Sequence, residues 1–249
     1  MRHEDREITS INDLVNSLRA QTVAREILWF RGHADRDWKL VPGLGRNQAH
    51  LAKETEVIKR FVQLSVPHLT EPPPKTDWEW IFLMQHYGVP TRLLDWTESP
   101  LTAMWFAMNG DASTENKDGA VWCLAPLELN RHARFRGKLE NELPGFDADE
   151  ILDGYLPDRQ AGGQGKNAVA ATGPRNSRRI AAQLGNFTIF DRASEPIEEI
   201  GDKNHVWRWI VPAHARPNLL EELRLLRLTE LSFFPDLDRV SKLTRELLA

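Results

Sequence analysis

Residues 85–108 read QHYGVPTRLLDWTESPLTAMWFAM, and this segment combines signals for a helix end, a strand and a second helix. Gly88 can adopt the left-handed conformation that often ends a helix, and Pro90 prevents the helix from restarting. Residues 91–96 then fit a short strand, and the dipeptide Ser99-Pro100 fits an N-cap followed by proline at the first helical position. The sequence therefore predicts a helix, a strand and a largely buried helix in direct succession at the centre of the fold.

The junction between that strand and the second helix is rich in polar side chains. They are Arg92, Asp95, Thr97, Glu98 and Ser99. A helix N-terminus carries backbone N–H groups that have no partner within the helix, and these groups bind anionic ligands. We therefore expect a ligand site at this junction.

The composition limits the class of protein. With 249 residues, of which 41% are hydrophobic, the chain suits one large domain or two small ones, and we interpret residues 1–249 as a single domain. A formal net charge of −4 provides no electrostatic footprint for non-specific nucleic-acid binding. Residues 1–7 are charged and do not resemble a signal peptide, and no apolar run is long enough to cross a bilayer, so we expect a cytoplasmic protein with no membrane partner. Cys123 lies in an apolar run, which indicates a buried, unreactive thiol.

A second candidate position is Arg31, which follows the apolar, β-prone residues 27–30. A charged residue at the end of a buried strand suggests a site. Further strands are predicted at residues 38–41, 119–124, 187–190 and 206–211, and helices at residues 11–18, 51–62, 77–87, 219–228 and 236–248. Residues 126–173 lack periodicity, and we predict a long irregular excursion there that covers or flanks a site.

Five groups of residues, in this order along the chain, resemble the successive motifs of the FRG domain family. They are Trp29–Gly32, Leu40–Arg46, Gln85–Pro100, Arg179–Thr188 and Phe234–Leu237. The triplet Phe30-Arg31-Gly32 matches the one from which the family takes its name. The family in turn resembles the ADP-ribosyltransferase fold, so the resemblance implies an α+β protein with split antiparallel β-sheets, flanking helices and NAD in the cleft between the sheets.

The resemblance also implies a function. It indicates an NAD-dependent ADP-ribosyltransferase or NAD glycohydrolase, which takes NAD as a co-substrate and cleaves the nicotinamide–ribose bond. Such a protein would be a bacterial toxin or antiphage effector, with a protein or a nucleic acid as acceptor and a partner protein that neutralises or regulates it. Two other functions stay open: a non-catalytic module that senses NAD or an ADP-ribose derivative, and a metal-independent nuclease that uses the arginines and histidines.

Carried over residue by residue, the same resemblance implies two sets of site residues. The catalytic candidates are Arg31, Asp95, Thr97, Ser99 and Gln183. The candidates for NAD binding are Arg31, Gly32, Arg46, Tyr87, Arg92, Trp96 and Phe187. Gln183 stands where the transferases usually have a glutamate, and because an amide cannot act as a base, Asp95 is the carboxylate expected in its place.

Structural roles stay open for several of these residues. Arg31 and Asp95 can form a buried ion pair between two strands. Ser99 can serve as an N-cap alone, and Gln183 can satisfy backbone groups at a strand edge. The tryptophans fit the core better than a stack on a ligand ring. No metal site is predicted, because the spacing typical of metal ligands is absent from the histidines considered, His33, His86 and His132.

Overall fold

A computed structural model describes residues 1–133, 142–146, 150–157, 167–174, 182–192, 195–234 and 237–246 of the chain. The strands are β1 (Arg6–Glu7), β2 (Trp29–His33), β3 (Leu93–Thr97), β4 (Gly119–Leu124), β5 (Val169–Ala171), β6 (Gly185–Ile189) and β7 (Val206–Val211). They form one seven-stranded sheet in the order β1-β7-β4-β2-β3-β6-β5. β1 runs parallel to β7, and the other neighbouring strands are antiparallel.

The α-helices are α1 (Ile11–Gln21), α2 (Gln48–Ala52), α3 (Glu54–Ser65), α4 (Asp77–His86), α5 (Pro100–Met108), α6 (Pro126–His132), α7 (Arg216–Leu225), α8 (Glu230–Phe233) and α9 (Leu237–Glu246). Short 3-10 helices span Leu44–Arg46, Val66–His68, Ala112–Thr114, Glu150–Tyr155, Ile197–Glu199 and Ala213–Ala215. Within the described ranges, none of the helices combines the length and the apolar character that crossing a membrane requires. The predicted α+β class is confirmed.

The predicted succession at residues 85–108 is confirmed as the end of α4, then β3, then α5. Gly88 follows α4 with φ of +78°, a conformation that would strain a residue with a side chain. Ser99 caps α5, because its Oγ accepts a hydrogen bond from the backbone N–H of Thr102 at 3.2 Å. Local sequence signals therefore set both ends of the unit that carries β3.

The sheet is weakly joined at its centre. β2 pairs with β4 from Trp29 to His33, but it pairs with β3 at one position only, where Phe30 lies opposite Thr97. β3 in turn pairs with β6 along its full length. The split sheets implied by the resemblance are therefore not found, because one continuous sheet takes their place. We call the region beyond the single pair, beside Arg31 and Asp95, the β2–β3 opening.

Helices cover one face of the sheet in two groups. α1, α5 and α7 pack on β2, β4 and β7 around a core that includes Phe30 and Met104. α4 packs on β3, β6 and β5 around a second core that includes Phe82 and Phe187. The opposite face carries a third core, which includes Trp96 and residues from the loops after β2 and β6. The β2–β3 opening thus lies between the two helical groups.

Residues 38–41 do not form the predicted strand. Leu40 is held instead by contacts from far along the chain: its N–H donates to the Glu198 carboxylate at 3.1 Å, and its carbonyl accepts from the Ile197 N–H at 3.2 Å. Because these partners satisfy the backbone of Leu40 without a strand ladder, the segment stays a loop that covers the sheet.

The prediction that residues 126–173 form an irregular excursion is wrong for the part that the structure describes. That part contains α6, the 3-10 helix Glu150–Tyr155 and β5. The Asn130 side chain ties two of these elements together, because it accepts from the Ala170 N–H at 2.7 Å and donates to the Ala170 carbonyl at 2.9 Å. Elements this short are too brief to show a hydrophobic period. Residues 175–181 and 235–236, which include parts of two FRG-like motifs, lie outside the described residues.

Candidate functional site

Arg31 lies on β2 at the β2–β3 opening and reaches across it. Its Nη1 donates to the backbone carbonyl of Asp95 at 2.7 Å, and its Nε donates to Nε2 of His33 at 3.0 Å. Nη2 donates no hydrogen bond to any described residue, and it is not fully buried. Two donor groups therefore fix the guanidinium, and the third stays accessible.

His33 orients Arg31 from the same strand. The imidazole is buried, and its Nδ1 donates to the carbonyl of Trp38 at 3.1 Å, so Nε2 accepts from Arg31. Burial and the nearby charge of Arg31 lower the pKa of His33 well below 6.5, so the ring is neutral at neutral pH. Sequence analysis missed this role. The available signal was the spacing of two residues, which places both side chains on one face of a strand.

Asp95 gives the opening an accessible carboxylate. Its side chain is 53% exposed, and one oxygen lies 3.9 Å from Nη1 of Arg31. The same oxygen accepts from Nε2 of Gln85 at 2.9 Å, and Oε1 of Gln85 accepts from the Thr91 hydroxyl at 2.6 Å. The alternative of a buried Arg31–Asp95 ion pair is therefore wrong for Asp95. Gln85, at the end of α4, is a second residue that sequence analysis did not assign to the site.

Thr97, Ser99 and Gln183 are connected, but they bond mainly to backbone. The buried hydroxyl of Thr97 donates to the carbonyl of Gln183 at 2.6 Å and accepts from the Ser99 N–H at 3.0 Å. The Ser99 hydroxyl caps α5. The Gln183 amide donates to the carbonyl of Phe233 at 3.0 Å. The Ser99 bond agrees with the structural alternative of an N-cap. Gln183 does bond to backbone, but at the end of α8 and not at the predicted strand edge. The Thr97 bonds hold the α5 N-terminus against the segment before β6.

Gly32 has a packing role that explains its residue type. A Cβ at this position would lie 1.9 Å from the carbonyl oxygen of Ala103 and 2.4 Å from the nitrogen of Ala107. Both atoms belong to the backbone of α5, which therefore approaches β2 more closely than any side chain would allow. The predicted ligand contact of Gly32 is replaced by this helix–strand contact, which fixes Arg31 next to it.

Two aromatic residues predicted to bind NAD belong to the core. Trp96 is buried, and its Nε1 donates to the Thr188 hydroxyl at 3.0 Å. Phe187 is also buried, with its ring centroid 4.9 Å from that of Phe82. Neither ring has a free face for a ligand. Of the predicted aromatic contacts, Tyr87 is the exposed one, and it packs edge-to-face on His86 at 4.9 Å.

Arg92 is fully committed to the protein interior. Its Nε donates to the Glu54 carboxylate at 2.7 Å, its Nη2 donates to the other carboxylate oxygen, and its Nη1 donates to the carbonyl of Tyr155. Both side chains of the ion pair are almost completely buried. The predicted role of Arg92 in NAD binding is therefore replaced by a structural one. Its outer edge lines a cavity of about 130 Å³ beside Asp191 and Arg192.

Arg46 adds positive charge near the opening. It ends the 3-10 helix Leu44–Arg46 and is exposed, with no ion pair to any residue in the described part of the chain. Its charge contributes to the lowered pKa of Arg31 and of His33, although burial is the larger cause for both. Arg31 and Arg46 together can attract an anionic ligand.

The remaining candidate is the thiol of Cys123, which the structure places in the core of β4 without solvent contact. Burial raises its pKa well above the usual value, so the thiolate needed for nucleophilic attack does not form at neutral pH. The predicted unreactive role agrees with this environment.

Comparison with known proteins identifies one family. The model of the FRG domain matches residues 26–116, which contain β2, α2 to α5 and β3, and thus Arg31, Arg46, Asp95 and Ser99. No curated protein and no solved structure matches the chain. The match ends before β4, so a single FRG domain over residues 1–249 stays a prediction. Residues 26–116, which include Arg31 and Asp95 at the β2–β3 opening, therefore match the FRG domain.

Proposed function

We propose that this protein binds NAD at the β2–β3 opening and acts as an ADP-ribosyltransferase. The observation that carries the proposal is the arrangement of Arg31: two of its donor groups are fixed by Asp95 and His33, and a third stays available beside an exposed carboxylate. A guanidinium held in this way is preorganised for phosphate or ribose oxygens. Arg46 strengthens the positive potential that a diphosphate requires.

The proposed reaction needs a negative group near the sugar. Cleavage of the nicotinamide–ribose bond creates positive charge on the ribose carbon, and a carboxylate stabilises that charge more in the transition state than in the ground state. Asp95 is the carboxylate that the opening offers, and its hydrogen bond to Gln85 limits its rotation. In this proposal Arg31 binds NAD, while Asp95 stabilises the transition state and orients the nucleophile.

A non-catalytic sensor of NAD or ADP-ribose is the second candidate. One observation favours it: the side-chain amide of Gln183 donates to the Phe233 carbonyl, and Gln183 cannot act as a base. If Asp95 does not support turnover, the same arginine contacts still bind the nucleotide. The nuclease alternative has less support, because both ring nitrogens of His33 are engaged and the ring is not free to transfer protons.

The wider biological role is proposed on the resemblance alone. An ADP-ribosyltransferase of this family would modify a protein or nucleic-acid acceptor as a bacterial toxin or antiphage effector. Such an activity inside the producing cell requires control, which gives a neutralising or regulatory partner protein a purpose. Labelled NAD incubated with the protein and a cell lysate identifies the acceptor by the fraction that carries the label.

NAD titration of purified variants tests the binding step. Arg31→Ala should weaken binding about ten- to over a hundredfold, because a charge-assisted hydrogen bond contributes about 1.5–3 kcal/mol. Arg36→Ala is the matched control, since Arg36 is also on the surface, with a 3.6 Å ion pair to Asp118. Arg36→Ala should leave the affinity unchanged.

Measuring NAD turnover distinguishes a transferase from a non-catalytic sensor. Asp95→Asn should retain NAD binding and lose release of nicotinamide if the protein is a transferase. Binding by the wild-type protein without any turnover or label transfer supports the sensor. A wild-type protein that does not bind NAD, or an Arg31→Ala variant that binds as tightly as the wild type, refutes the proposed site.

A further inference from the structure

Three side chains with metal-ligand chemistry meet at the opposite end of the sheet from His33. His132 is the last residue of α6, and Asp202 and His205 lie in the loop that leads into β7. Their candidate ligand atoms lie within 4.8 Å of one another, and Nε2 of His132 is 3.2 Å from Oδ1 of Asp202. No metal site was predicted, because His33, His86 and His132 lack metal-ligand spacing with one another. Asp202 and His205 lie about 70 residues after His132, so the sequence spacing gave no signal for this group.

His205 has a ring nitrogen that lacks a partner. The residue is completely buried, and its Nε2 lies 2.9 Å from the carbonyl of Ile197. A carbonyl can only accept, so Nε2 carries the hydrogen, and Nδ1 of the neutral ring has a free lone pair. Among the described residues, Nδ1 makes no hydrogen bond although it is buried. A buried polar atom without a partner costs stability unless something binds it.

The surroundings of His205 match those of a metal ligand. A ligating histidine usually donates its other ring N–H to a backbone carbonyl or carboxylate, which fixes the ring and the tautomer. The bond to Ile197 supplies this support. The backbone of His205 is also held, because its carbonyl accepts from the Ala125 N–H at 2.8 Å. The nitrogen without a partner is therefore rigidly placed beside the other two residues.

The distances fit a small divalent ion. Zinc bonds to nitrogen and oxygen of about 2.0–2.2 Å in a tetrahedron place the ligand atoms about 3.3–3.6 Å apart. The His132–Asp202 separation of 3.2 Å is already close to this range. Closing the site around an ion requires the group to contract by about 1 Å, judged against those bond lengths. The Asp202 side chain is 59% exposed and can contribute to this movement. Its two carboxylate oxygens accept from the backbone N–H of Asn204 at 3.0 Å and from the Asn204 side-chain amide at 2.9 Å, so these bonds rearrange when the ion binds.

We infer that His132, Asp202 and His205 bind a zinc ion. Imidazole and carboxylate ligands suit this ion, and three protein ligands leave a fourth position for water or for a donor atom of a ligand. The ion joins the end of α6 to the loop before β7, so it stabilises this end of the sheet. The inference does not depend on NAD binding, since Arg31 lies at the β2–β3 opening on a different strand.

Titration with Zn²⁺ alone, and with Co²⁺ as a spectroscopic probe, tests the inference on the purified, chelator-treated chain. The wild type should bind one ion per chain, and Co²⁺ should give the visible absorption of a four-coordinate site. His132→Ala and Asp202→Asn should each weaken Zn²⁺ binding by more than about a hundredfold. Loss of a residue that merely hydrogen-bonds to a metal ligand already costs about 10- to 100-fold in affinity, and loss of the ligand itself should cost more. His214→Ala is the control, since His214 is exposed and follows β7, whereas His205 precedes that strand, and it should bind as the wild type does.

Thermal melting gives an independent measurement. Zn²⁺ should raise the melting temperature of the wild type and of His214→Ala, but not that of His132→Ala or Asp202→Asn, because an ion stabilises the state that binds it. Both informative substitutions are at partly or fully exposed positions, so the variants should fold. A wild type that binds no stoichiometric ion overturns the inference, and so does a His132→Ala variant with wild-type affinity.

Discussion

Arg31 reaches β3 from β2 and Arg92 directly precedes β3 in the chain, but the two differ in how much of each guanidinium is committed to the protein. Arg92 and Glu54 have side chains that are 2% and 5% exposed, and the donor groups of Arg92 bond to the carboxylate and to backbone carbonyls. Arg31 and Asp95 are 19% and 53% exposed, with 3.9 Å between their charged groups. Arg92 is bound on all sides, whereas Arg31 is fixed and still accessible.

This difference separates a structural arginine from a candidate ligand-binding one. A buried pair that loses one partner leaves a charge without solvent or counter-ion, whereas an exposed pair contributes little to stability. Residue type and position beside a strand do not distinguish the two cases. Their partners do, and these come from α3 and the 3-10 helix Glu150–Tyr155 for Arg92 and from β2 and β3 for Arg31.

The largest expected effect is that of Arg92→Ala on folding. It leaves the buried Glu54 carboxylate unpaired and should reduce the free energy of unfolding by about 3–5 kcal/mol. Denaturant unfolding measures this loss. The double variant Arg92→Ala/Glu54→Gln should recover part of it, because the glutamine is neutral. If Arg92→Ala alone were as stable as the wild type, Arg92 would not be the structural arginine that its contrast with Arg31 requires.

Gly32→Ala should have the next largest effect. The added Cβ would meet backbone atoms of Ala103 and Ala107, which cannot move without displacing α5 from β2. We expect a loss of about 1–3 kcal/mol in the free energy of unfolding, or more if the helix cannot shift. Gly45→Ala is the matched control, because a Cβ there would lie 3.5 Å from its nearest neighbours, the ring carbons of Pro42, which is an ordinary contact distance. Equal stability of the two variants would contradict the close contact of α5.

The pH dependence of stability tests how His33 supports Arg31. The folded pKa of His33 is below its unfolded value of about 6.5, so folding favours the neutral ring. This contribution is fully present above about pH 6.5 and is lost as the pH falls toward the folded pKa, by about 1.4 kcal/mol per pH unit. His33→Asn should show a shallower loss between pH 6.5 and 5 than the wild type in denaturant unfolding. His50→Gln, at an exposed position, is the control, and identical slopes for all three proteins would refute a buried neutral His33.

The smallest effect on stability should be that of Arg31→Ala. Asp95 is largely exposed and stays solvated, but the substitution leaves the buried Nε2 of His33 without its donor, so we expect a loss of about 1–2 kcal/mol in the free energy of unfolding. Thermal and denaturant unfolding measures this loss, with Arg36→Ala as the control variant. A loss as large as that of Arg92→Ala would show that Arg31 is also structural, and the NAD affinities of that variant would then say nothing about ligand contacts.

Local sequence signals located the unit around β3 with good accuracy. Gly88 and the Ser99-Pro100 dipeptide act within a few residues, and the structure has a helix end and a helix start at those places. The apolar run before Arg31 does enter a strand, but β2 spans Trp29–His33, so Arg31 lies in the middle of the strand and not at its end. The strand at residues 38–41 was wrong because contacts to Ile197 and Glu198 satisfy Leu40. Short elements in residues 126–173 were missed because they are stabilised by packing and not by periodicity.

The sequence by itself therefore determined the α+β class, the match to the FRG motifs and the presence of a strand in the apolar run that leads into Arg31. The tertiary structure alone decided which polar and aromatic residues are available. Trp96 and Phe187 became core residues, Arg92 was neutralised by Glu54, and His132 was brought next to Asp202 and His205. The physical reason is that helix ends and strand patterns depend on neighbours in the chain, whereas burial, ion pairing and ligand geometry depend on residues that only folding brings together.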